Sequence, residues 1–140
     1  MTETFLHRSG EDVVFYAAPR SFGRTLLRSD VTAIAFRVAK LSAPDTDLYT
    51  ATYYVAAEPS TGDYTQAMFD SLQTGNEWPH SSGGYSLAIV HDASDYTFDD
   101  GEVYLVEAAL TVAVGSPTWP DLSDGGTKTV QWIVDARRVV

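Results

Sequence analysis

The sequence predicts an all-β fold of about seven strands in two antiparallel sheets, with one short helix. Three observations point there. Apolar and polar residues alternate at period two in at least six segments, the spacing of a strand with one buried face. The chain holds three Trp, eight Tyr and six Phe, and flat rings pack well on a pleated surface. Turn chemistry built on Pro, Asn, Asp and Gly separates the alternating segments at short intervals.

Each element follows from its residues. Asp12 to Ala18 reads as a short strand with Val13 and Phe15 on one face. Arg20 to Asp30 is polar and irregular around Phe22, Leu26 and Leu27, and reads as a loop or a short edge strand. Val31 to Lys40 is clearer: Ile34, Phe36 and Val38 share one face, and Ala33, Ala35 and Arg37 take the other. A turn with Pro44 and Asp45 leads into Asp47 to Ala56. There Tyr49, Ala51, Tyr53 and Val55 alternate against Thr50, Thr52 and Tyr54.

Thr65 to Leu72 breaks the rhythm. Met68, Phe69 and Leu72 fall at helical spacing behind Thr65, an N-cap residue type, and Gly75 and Asn76 can stop a helix. The alternation returns in Tyr85 to His91, with Tyr85, Leu87 and Ile89 inward. An acidic turn, Asp92 to Gly101, ends in Asp-Asp-Gly, a hairpin signal. Glu102 to Val114 is the longest strand, and Tyr104, Val106, Ala108, Leu110, Val112 and Val114 form its buried side. After a loop with Pro117, Trp119 and Pro120, Thr127 to Arg137 closes the set with Val130, Trp132 and Val134 on one face. The 140 residues fit one β-sandwich domain, 1–140, with residues 1–10 as an extended N-terminal arm.

Charge and composition narrow the function classes. A net charge of −10 repels phosphate backbones and anionic membrane surfaces, so neither nucleic acid nor membrane is an expected partner. It serves solubility, or it matches a basic partner surface or a salt-rich environment. The chain has no cysteine, which removes disulfides, thiolate metal sites and a cysteine nucleophile. Met1 to Gly10 lacks the positive start and apolar stretch of a signal peptide. Synthesis in a cytoplasm without Sec-type export is the expectation.

The acidic turn offers Asp92, Asp95, Asp99, Asp100 and Glu102 within eleven residues. Calcium takes six to eight oxygen ligands, so this is the one metal the chain invites. The spacing departs from the EF-hand loop, and acidic turns in acidic proteins are generally solvated. No cofactor is expected. His7, His80 and His91 read as lone surface histidines with no metal-ligand spacing between any two. Ser82-Gly83-Gly84 lacks the Lys and following helix of a phosphate cradle. No nucleophile with its base is evident, so an enzyme is not expected.

The remaining candidates are surfaces. Trp78 and Trp119 lie in Pro-containing loops outside the alternation. Each can plug an end of the sandwich, anchor a protein interface, or stack on a sugar. The chain ends Arg137-Arg138-Val139-Val140. These residues either finish the last strand or meet a neighbouring subunit.

Gly10 to Phe15, Ala33 to Val38 and Gly84 to Leu87, followed by the long closing strand pair, resemble small immunoglobulin-like domains of tailed-phage virions. The nearest in style is the N-terminal domain of phage baseplate upper proteins. The resemblance covers roughly residues 10–138 and departs at Thr65 to Leu72 and in the Trp-containing loops. It implies an immunoglobulin-like sandwich with no catalytic residues. It also implies a place in the virion, as capsid decoration or as a tail or baseplate component, with other virion proteins or copies of itself as partners. The alternative is a carbohydrate-binding sandwich using Trp78 or Trp119.

Overall fold

The computed structural model describes residues 2–6, 13–21, 24–60, 65–74, 84–92, 94–99, 101–113 and 126–136, with backbone alone at 2–6, 21 and 24. In chain order the strands are β1 (Thr2–Leu6), β2 (Val13–Ala17), β3 (Arg20–Ser21), β4 (Arg24–Thr25), β5 (Val31–Lys40), β6 (Tyr49–Tyr53), β7 (Met68–Gln73), β8 (Tyr85–His91), β9 (Val103–Val112) and β10 (Gly126–Asp135). One 3₁₀ turn, Arg28–Asp30, precedes β5.

Two sheets make the sandwich. The larger runs β1-β10-β9-β5-β6 and the smaller β2-β8-β7. All pairings are antiparallel except β1 with β10. The order β10-β9-β5-β6 facing β2-β8-β7 is the G-F-C-C′ and B-E-D arrangement of immunoglobulin-like domains. A tyrosine corner marks the same fold: the Tyr104 hydroxyl, near the start of β9, accepts a hydrogen bond from the Asp99 backbone N–H at 2.8 Å. Val106 stands two residues on, where antibody domains place a disulfide cysteine.

Rings replace that covalent tie. Phe15 of β2 lies 5.2 Å from the Trp132 ring of β10 and 5.9 Å from Phe36 of β5, centroid to centroid. The Trp132 indole N–H donates to the Tyr16 carbonyl at 3.0 Å, spanning both sheets with one side chain. Leu87, Ile89, Met68, Ile34, Val38, Val106, Leu110 and Val134 fill the layer around them, all fully buried. Burial of each such side chain contributes roughly 1.5–3 kcal/mol.

The inward faces of β2, β5, β9 and β10 are the ones alternation assigns. One expectation is corrected. Thr65 to Leu72 is not helical: Met68–Gln73 is strand β7, paired with β8 at Met68↔Leu87 and Gln73↔Tyr85 across a register shift. A free-standing helix of two turns carries a nucleation cost that few residues can offset, whereas strand pairing buries Met68 at once. Leu72, the third residue of the apparent helical face, is exposed. Tyr85 is buried, as alternation expects, at the end of β8 beside the central cluster. Its ring packs between Tyr16 (5.5 Å) and Phe69 (6.0 Å). Around the two sheets of the expected sandwich, Thr2–Leu6 of the expected arm forms β1, and Arg20–Thr25, expected as a loop or a short edge strand, contributes the β3–β4 ladder.

Candidate functional site

The inner faces are consumed by the core, which leaves the outer face of the five-stranded sheet. Its register arranges side chains in rows. Thr52, Ala35, Ala109 and Thr129 stand side by side across β6, β5, β9 and β10, and beside them run Thr50, Arg37, Glu107 and Gln131. Ala33, Thr111 and Thr127 continue the surface toward one end. Ala33, Ala35, Thr50, Thr52, Thr111, Thr127 and Thr129 are all exposed. No tall side chain rises from the Ala/Thr rows, so a depression of about 500 Å³ opens over Ala35, Thr52, Ala109 and Thr129, walled by Arg37 and Asp47.

Arg37 organises the wall. Its Nε donates to Asp47 Oδ1 at 2.6 Å, one Nη donates to Glu107 Oε1, and the other to the Pro44 carbonyl. Gln131 Nε2 donates to the second Glu107 oxygen at 2.9 Å. The hydrogen bond to Asp47, followed by the charge of Glu107, holds the Arg37 guanidinium above its ordinary pKa. Two carboxylates around one guanidinium leave the cluster with surplus negative charge. Holding Pro44 also fixes the β5–β6 connection against the sheet, so the wall is built rather than swinging in solvent.

The acidic turn looks different in place. Asp92 Oδ1 accepts from the Ser94 N–H at 2.8 Å, and Glu102 pairs with Lys40 at 3.6 Å. Asp95 and Asp99 are exposed, and Asp100 lies outside the described residues. Among the described residues no group of three or more His, Asp or Glu side chains gathers as a metal site. Trp78, Trp119, Arg137, Arg138, Val139 and Val140 also lie outside them, as do His7 and His80.

His91 corrects the reading of three surface histidines. It is 1 % exposed, because the last residue of β8 keeps the inward register opposite Val13 of β2. The Ala/Thr face was visible in the sequence as the outward set Ala33, Ala35, Thr50 and Thr52. Its meaning depended on knowing that β5, β6, β9 and β10 lie side by side. No family model, curated protein or solved structure matches the chain.

Proposed function

We propose that this chain is a non-enzymatic structural protein of a tailed-phage particle, a capsid decoration protein or a tail or baseplate component. It docks through the outer face of its five-stranded sheet on a neighbouring particle protein whose contact surface is basic. The observation that carries the reading is the open Ala/Thr face beside the Arg37–Asp47–Glu107 cluster. A floor of short side chains lets a partner lower its own side chains onto the sheet. The surplus carboxylate at the wall, in a chain of net charge −10, favours a basic partner over a second copy of itself.

Three ten-residue strands about 4.8 Å apart and roughly 33 Å long, with the five-residue β6 beside them, offer on the order of 550 Å², near the lower end for one side of a specific interface. A modest contact suits a protein held in many copies, where each site need not be tight. The resemblance of Ala33 to Val38 and Gly84 to Leu87 to virion domains supplies the setting. The test is mass spectrometry of purified particles washed at increasing salt. The chain is expected in the particles at low salt and released as salt screens the charge complementarity. Its absence from particles of the phage or prophage that encodes it would overturn the proposal.

A further inference from the structure

The most unusual group in the core is His91. Five rings surround its imidazole: Phe98 at 5.2 Å, Tyr49 at 5.7 Å, Phe36 at 6.0 Å, Phe15 at 6.4 Å and Tyr96 at 6.5 Å between centroids. Nε2 is 2.7 Å from the Tyr96 carbonyl oxygen. A carbonyl only accepts, so Nε2 carries the proton and the neutral ring leaves Nδ1 bare. Nδ1 is buried and has no hydrogen-bond partner among the described residues. The ring thus ties the β8–β9 connection to the core from one side. Asp99, bonded to Tyr104, ties it from the other.

We propose that His91 is an acid-sensitive latch on the β8–β9 connection. Protonation turns Nδ1 into a donor and places a cation where the neutral ring needed nothing more. β2 and β5 meet the ring with Phe15 and Phe36. β6 brings Tyr49, and the connection brings Tyr96 and Phe98, with Tyr53 and Tyr104 behind them. The carboxylates of the connection, Asp92, Asp95 and Asp99, lie at the exposed surface. Ring faces attract a cation, but they do not replace its lost hydration or accept the new N–H. The charged ring leaves for water, the Tyr96 contact breaks, and the connection opens beside those carboxylates. The Tyr104–Asp99 tie limits the opening to the residues before Asp99. The latch is independent of the docking face.

The test is amide hydrogen exchange of the whole protein at pH 7.5 and pH 5.5, corrected for intrinsic rates, alongside the NMR titration of the His91 imidazole. Protection of Ser94 through Phe98 is expected to fall by up to about tenfold in acid as His91 is protonated, while the amides of β5 and β9 keep theirs. His91→Phe and His91→Gln should remove the pH dependence. Where neither variant folds, coincidence of the wild-type imidazole titration and the loss of protection decides. Protonation of His91 without loss of protection would overturn the proposal. So would an unchanged acid opening in both variants, which would assign it to the carboxylates instead.

Discussion

At the scale of residues, the sandwich depends on polar atoms of aromatic side chains that find partners inside it. The Trp132 indole reaches the Tyr16 carbonyl and the Tyr104 hydroxyl takes the Asp99 N–H. The Tyr53 hydroxyl donates to the Val90 carbonyl at 3.4 Å. Burial is the first cause that holds the Tyr53 and Tyr96 hydroxyls well above the ordinary tyrosine pKa; the charge of Tyr49 adds to it at Tyr53, and a hydrogen bond with Tyr104 adds to it at Tyr96. A pKa raised by folding means that the folded chain prefers the protonated form more than the unfolded chain does. The stabilisation is therefore complete below the unfolded value of about 10 and drains away as pH rises above it. Urea unfolding midpoints between pH 8 and pH 12, read together with tyrosinate absorbance, should be level to about pH 10 and then fall. Tyr53→Phe should make the fall shallower; the same slope in both proteins would contradict this account of Tyr53.

At the scale of elements, the junction of β7 and β8 shows what tertiary context decides. Gly84 has φ of +87°, and a Cβ there would stand 2.9 Å from Leu72 Cβ and 3.2 Å from the Gln73 carbonyl oxygen. Gly84→Ala is expected to cost about 1–3 kcal/mol through backbone strain and this contact. The melting temperature should drop by several degrees, and an unchanged value would mean that β7 yields freely. The same junction is where sequence patterning misled. β5 and β9 were legible because each has one face in the core and one in solvent, which writes period two into ten residues. β7 is short and bulged, and its Met68, Phe69 and Leu72 spacing fits a helix until β8 is there to pair with. His91 was read as a surface residue because histidine is often polar-facing, and nothing local shows the five rings that enclose it. The parallel pairing of β1 with β10 joins the two ends of the chain, a contact with no local signal.

At the scale of the whole molecule, two features combine: an acidic chain and one sheet face kept low by Ala and Thr. The first steers toward basic surfaces over distances of about a Debye length. Under the proposed function, the second would give the arriving surface a place to settle. Ala109 lies in the middle of that face, between Ala35 and Thr129, so on the proposed function a long side chain there should obstruct docking from the side of the sheet away from the core. The direct measurement is competitive incorporation. Particles are assembled with equal amounts of wild type and Ala109→Arg, with Ala57→Arg, at an exposed position between β6 and β7, as the control for added charge. Ala57→Arg, at an exposed position, should melt within a few degrees of wild type, and the melting temperature of Ala109→Arg, at a half-buried position, is measured alongside so that lost stability is told apart from lost docking. The account predicts that wild type and Ala57→Arg enter the particle and that Ala109→Arg is reduced at least tenfold. Equal incorporation of Ala109→Arg would contradict it.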